Sequence, residues 1–184
     1  MSFLFLSQHT FQTTTKIQNT IEYSYRPVIV TKVTENQPIF EAVFKDKQGK
    51  TEKLETTSEH PFWLKDVGWL KASLLDSGMA LLDRNNEELE VVSQHLVLNR
   101  LETVYNIEVD DFHTYHVGKL GTWVHNANCC DFITTPKGQT VSLAGLSPNQ
   151  ILSIKREAHI AALADGKIAV EARTVNGQVV LEDI

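Results

Sequence analysis

Between Tyr23 and Asn126 the chain alternates apolar and polar residues in short runs, most of them closed by glycine, asparagine, aspartate or proline. Runs of period two mark half-buried strands. Tyr25–Val33 is rich in Val, Ile and Thr, with Pro27 near its start, where an edge strand tolerates it. Ile39–Lys45 and Thr51–Thr57 predict a hairpin turned by Asp46-Lys47-Gln48-Gly49. The Trp- and Leu-rich stretch that follows is broken at Gly68 and Gly78. One helical turn is expected at Leu70–Leu75 and a short buried strand at Met79–Leu82. Further strands are expected at Glu88–Val92, His95–Leu101 and Val104–Val109. A turn bracketed by Gly118 and Gly121 then leads to Thr122–Val124 and the pair His125-Asn126. No long helical period interrupts these runs, so the expected fold is mainly β, an all-β domain closing near Asn126.

Outside that region the texture changes. Residues 1–22 are Thr- and Gln-rich with weak periodicity and are assigned to no element, and no glycine precedes Gly49. Residues 127–146 read as a linker, with loops at Thr134–Gly138 and Gly145–Pro148. Ser147-Pro148 is a good helix start, serine capping and proline at the first helical position. Ile151, Ile154, Ala158 and Ala162 then fall on one face, and Gly166 supplies a stop. A closing hairpin, Ile168–Val175 with Gln178–Leu181, is turned by Asn176-Gly177. Residues 147–184 are thus expected to form a small α+β tail, near the lower size limit for folding alone.

Composition narrows the function classes. At 184 residues, 42% hydrophobic and 22% charged, the sequence is that of an ordinary globular protein. A net charge of −6 gives no general attraction to nucleic acid or to an anionic membrane, so neither is expected as a partner. Phe3-Leu4-Phe5-Leu6 is too short for a signal-peptide core, and no run reaches the ~20 apolar residues of a membrane span. The expected location is therefore cytoplasmic. Cys129 and Cys130 are adjacent and lack a second pair at zinc-ligand spacing, so they read as linker thiols and no metal or other cofactor is expected. Trp63, Trp69 and Trp123 read as core. His159, on a mostly apolar helical stretch, reads as a surface or core-edge residue.

The chemistry worth pursuing lies at Asn126. Asparagine can attack its own backbone carbonyl with its side-chain nitrogen, closing a succinimide and expelling the next residue's amine. An adjacent imidazole that polarises the carbonyl or protonates the leaving nitrogen speeds this by roughly 10²–10⁴-fold, and a held rotamer adds a proximity gain. His125 stands next to Asn126, with His113 on the segment before the turn. The plain alternative is a strand end and nothing more.

Two longer stretches sharpen this reading. VYNIEVDDFHTYHVGKLGTWVHN resembles the C-terminal end of a Hint (hedgehog/intein) self-processing domain, more narrowly the pretoxin Hint domains of bacterial polymorphic toxins. TTSEHPFWLKDVGWLKASLLDSGMALLD resembles that family's central T-x-x-H-P-F region and the Gly-Trp segment after it. The resemblance covers about residues 23–126 and implies a horseshoe-shaped all-β fold whose N- and C-terminal strands meet at the site. It implies that Asn126 cyclises, that His125 assists, and that His113 is a second polarising group. Asp110 or Asp111 would orient one of these histidines. The alternative for that pair is a solvated turn. Thr57 and His60 occupy the positions that activate the N-terminal scissile peptide in the family. In a purely structural reading, Thr57 caps a turn and His60 packs on Pro61-Phe62.

The sequence also departs from the family pattern. Its opening residues, MSFLFLSQHT, carry no nucleophile followed by Gly-Thr, so the horseshoe is expected to be incomplete at its N-terminus and Thr57 and His60 to act structurally. Ala127 follows Asn126 where splicing inteins place Cys, Ser or Thr, and alanine offers no nucleophile for transesterification. The expected function is single-turnover self-cleavage after Asn126 without splicing, releasing the C-terminal segment. One alternative is an inactive or split Hint fragment that depends on a partner fragment or a larger toxin polypeptide. Another is a carrier of a small C-terminal toxin or interaction unit.

Overall fold

The computed structural model describes the backbone of residues 11–17, 20–110, 114–125, 132–134, 140–164, 170–175 and 178–183, with side chains over 25–110, 114–125 and 142–157. Strand β1 (Phe11–Ile17) and β2 (Thr20–Arg26) form an antiparallel ribbon of their own, inside and just beyond the segment that sequence left unassigned. The main sheet is built from β3 (Val28–Lys45), β4 (Thr51–Thr56), β5 (Pro61–Leu64), β6 (Gly68–Lys71), β7 (Ala80–Leu82), β8 (Glu88–Val109), β9 (Thr114–Val117) and β10 (Thr122–His125). Its order is β4-β3-β8-β7-β5-β10-β9, with β6 pairing with β5, and every pair is antiparallel. A single 3-10 turn, Ala72–Leu74, stands where one helical turn is expected.

The third sheet follows in the order β12-β11-β13-β14. Its members are β11 (Phe132–Thr134), β12 (Thr140–Ser142), β13 (Val170–Val175) and β14 (Gln178–Asp183). Two of these strands fall within residues 127–146. Helix α1 (Pro148–Ala164) begins at the expected proline. Its start is a reciprocal capping box that the sequence reading half anticipated. The Gln150 N–H donates to Ser147 Oγ at 3.4 Å, and the Ser147 N–H donates to Gln150 Oε1 at 2.9 Å. Among the described residues no helix is long and apolar enough to cross a membrane.

Two elements are longer than the hydrophobic pattern suggests. β3 joins the run at Tyr25–Val33, from Val28 onward, to Ile39–Lys45, while Tyr25 and Arg26 end β2 and Pro27 separates the two strands; β8 merges the runs at Glu88–Val92, His95–Leu101 and Val104–Val109. Bulges mark Asn36, between the first two runs, and Asn99, inside His95–Leu101. Asn36 and Asn99 take left-handed backbone angles, φ 55° and 59°, which asparagine tolerates. Asn36 lies where pairing shifts between Thr34 and Gln37, and Asn99 lies between Leu96 and Leu101, which face only Phe40 and Pro38. Both ends of this ribbon carry core residues, Phe44 and Val91 at one and Ile107 and Val109 at the other. Along it Ile29, Val33, Leu98 and Leu101 are exposed.

The core joins that ribbon to β5, β6, β7, β9 and β10 through Phe62, Leu64, Leu70, Leu81, Tyr115 and Val124. Every residue of β5 and β10 is buried. The turn Gly118–Gly121 that feeds β10 is held from outside. Lys119 and Leu120 donate their N–H groups to the two carboxylate oxygens of Glu52, at 2.6 and 2.8 Å. Gly118 and Gly121 both have positive φ, 73° and 74°, and a Cβ on Gly118 would stand 2.6 Å from that carboxylate. Glu52→Ala should lower stability by about 1–2 kcal/mol, because hydrogen bonds to a charged, partly exposed acceptor are lost. Urea unfolding reads this directly. An unchanged midpoint would show that the turn holds itself.

Candidate functional site

The site is best built from β10, because its last residue comes from one conspicuous motif and its neighbours come from the other. His125 pairs with Thr114 of β9, and Val124 pairs with Phe62 of β5. This double pairing brings the end of β10 beside the turn that precedes β5. The Thr57–His60 turn is closed by the His60 N–H on the Thr57 carbonyl at 3.3 Å. It is pinned to the 3-10 turn by the Ala72 N–H on the His60 carbonyl, 2.9 Å, and the Ser73 N–H on the Ser58 carbonyl, 3.0 Å. Thr57 and His60 therefore sit on a rigid loop, His60 buried and Thr57 half-buried. The His60 ring stands edge-on to Phe62 at 5.7 Å, the contact expected for a packing role.

Burial sets the protonation of this region. His60 is pushed down from 6.5 to about 4, first by removal from water and then by the nearby His125 imidazole. It is neutral at pH 7, and its Nε2 has no hydrogen-bond partner. His125 is only 3% exposed and meets the edge of Trp69, with ring centroids 5.0 Å apart. Trp69 in turn belongs to a cluster with Trp63 and Trp123, whose rings lie 4.9 to 5.3 Å apart. The His125 ring thus rests on Trp69, which Trp63 and Trp123 hold in turn. The three tryptophans read from sequence as core are core, and through Trp69 they also back the histidine.

A second histidine, unforeseen from sequence, flanks the cluster. His116 on β9 lies 6.1 Å from the Trp123 ring, and its Nδ1 is 3.0 Å from the Gly121 carbonyl. Burial pushes it too to about 4. Its position in the alternating Thr114–Val117 run was the only sequence signal. Lys155 of α1 is more unexpected: it is 2% exposed and donates from Nζ to the Trp69 carbonyl. A charged residue on an amphipathic helix gives no sequence cue to burial.

The remaining sequence-predicted residues fall as follows. Asp110 is exposed in the turn after β8, its N–H donating to the Pro27 carbonyl at 3.1 Å. Asn126, Ala127, His113 and Asp111 lie outside the described residues. Among the described residues no three His, Cys, Asp or Glu side chains cluster closely enough to hold a metal ion.

The family model described as "Pretoxin HINT domain" matches residues 10–127, and the chain belongs to that family of intein-like self-processing domains. The match opens ahead of residue 23, where sequence set the start of the domain, and it takes in β1 and β2. The fold is similar to that of a bacterial intein-like domain from Clostridium thermocellum, at 36% identity and a TM-score of 0.54. That alignment covers 62% of this chain and 80% of the other. A variant of the Ssp DnaB mini-intein is similar in fold at 18% identity and a TM-score of 0.50, over 66% of this chain and 79% of the other. No curated protein sequence matches the chain.

The depressed histidines make stability depend on pH. An unfolded histidine takes up a proton as pH falls through 6.5, whereas folded His60 resists until about 4. The stabilisation from neutral His60 is therefore complete above pH 6.5 and is lost as pH falls toward 4, on the order of 3 kcal/mol. The urea midpoint should drop between neutral pH and about pH 5, and drop less in His60→Phe. Equal drops in the two proteins would contradict this assignment.

Proposed function

We propose that this chain is a self-cleaving module that breaks its own Asn126–Ala127 bond by asparagine cyclisation and frees the segment that follows. The Asn126 side-chain nitrogen attacks the Asn126 carbonyl carbon and gives up one proton as the new C–N bond forms. The bond from that carbon to the Ala127 nitrogen breaks, and the nitrogen takes up a proton to leave as a free amine. The products are a C-terminal succinimide and an intact second fragment. His125 is the acid that protonates the departing nitrogen. His113 polarises the carbonyl, and Asp110 or Asp111 orients one of the two imidazoles.

The observation that carries this reading is the fixed position of His125. It closes a fully buried strand, edge-on to Trp69 and near enough to His60 for the two imidazoles to interact, one residue before the bond in question. Such fixation lowers the entropic part of the barrier, because the imidazole need not be recruited from solvent. Thr57 and His60 serve as the rigid wall behind it. Ala127 has no hydroxyl or thiol, so the reaction stops at cleavage and does not proceed to splicing.

Intact mass measured over time on the purified chain tests this. The wild type should divide into two fragments at the Asn126–Ala127 junction, Asn126→Ala should remain whole, and His125→Gln should slow division by roughly 10²-fold or more. A folded wild-type chain that stays whole would overturn the proposal.

A further inference from the structure

The segment that cleavage would free is built into the same core as the site. Leu152 is 9% exposed and belongs to the main hydrophobic cluster, and Ile151 packs against that cluster. Leu143, ahead of the helix, is also buried, at 4%. Three residues beyond Leu152 and on the same face, Lys155 carries its ammonium into the interior to the Trp69 carbonyl. The sequence pattern instead puts the apolar face through Ile151, Ile154, Ala158 and Ala162. The helix is turned so that Leu152 and Lys155 point inward, and Ile154 remains only partly covered. Burying an ammonium costs several kcal/mol unless it is bonded, so Lys155 is fixed where its acceptor is. That acceptor belongs to the residue whose ring supports His125.

From this arrangement we infer that the C-terminal segment is itself a ligand of the β domain. Breaking the chain after Asn126 leaves it docked through Leu152, Ile151 and Lys155, and its release is a separate, later step. The interface is continuous with the core, with an aliphatic centre and one charged hydrogen bond that sets its register. Covalent cleavage removes the tether without touching any of these contacts. The inference takes its biological sense from the cleavage reading above, while the docking stands on contacts that do not involve the scissile bond.

The two can be tested apart. In the full chain carrying Asn126→Ala, insert a recognition sequence for a specific protease directly after Ala127, cut it, and follow both fragments by size exclusion and native mass spectrometry. The cut chain should travel as one complex of the two fragments. Leu152→Asp should make the fragments separate on the column, and Lys155→Met should speed their dissociation at least about 10-fold, since its donor is gone. The tryptophan emission of each uncut variant, compared with the parent, reports that the β domain is folded before cutting. Immediate separation of the parent's fragments would overturn the inference. So would retention in Leu152→Asp and Lys155→Met as tight as in the parent. Self-cleavage is scored separately, by incubating the folded unmodified chain and then separating its products under denaturing conditions: a whole chain there, with docking intact here, removes the cleavage proposal and leaves this one standing.

Discussion

The packing of Trp63, Trp69 and Trp123 around the end of β10 is the contact on which the rest of the site depends. Three large rings, two of their contacts edge-to-face, form a buried cluster of their own with Leu82 packed against it. Aromatic pairs of this kind add roughly 0.5–1.5 kcal/mol each beyond the area they bury. The three residues come from β5, β6 and β10, so the cluster sets the spacing of these strands. Once it has formed, His125 has one place to go. The same cluster keeps water from that side of the imidazole.

The other features act by supporting β10. Its outer neighbour β9 is registered through Thr114–His125, and the turn between them is clamped by Glu52 from across the sheet. Its inner neighbour β5 also pairs with β6 and β7, so the strand bearing Phe62 and Trp63 cannot shift alone. Helix α1 closes the arrangement from the C-terminal side by fastening Lys155 to the Trp69 backbone. The two segments flanking the candidate junction are thus tied to the same tryptophan, one through its ring and one through its carbonyl. A self-cleaving bond needs a fixed acid and a fixed acceptor, and such ties limit how far either side can move.

Much of this was legible in the sequence where local chemistry decides the outcome. The Asp46–Gly49 hairpin, the Gly118–Gly121 turn and the helix start at Ser147-Pro148 all follow from residues whose backbone preferences are strong. So did the family, because T-x-x-H-P-F and the Val-His-Asn ending are informative together. Strand length was not legible. Asn36 falls between two runs that read as separate strands, and only tertiary pairing makes it a bulge within β3, while Asn99, inside the run His95–Leu101, carried no sign of the bulge it makes in β8. Lys155 was invisible for a related reason, since a helical period cannot tell an inward lysine from an outward one. His116 was hidden by its own regularity, one polar position among several in an alternating run.

Cyclisation of Asn126, as proposed, and attack of water at the same bond leave different first products. The most direct measurement is the accurate mass of the N-terminal product at the earliest time it can be detected. Cyclisation predicts a fragment ending at Asn126 that is one water lighter than the free acid and gains that water on standing, faster at alkaline pH. A fragment that carries the full carboxylate mass from the first time point, or that ends at any other residue, would contradict the account.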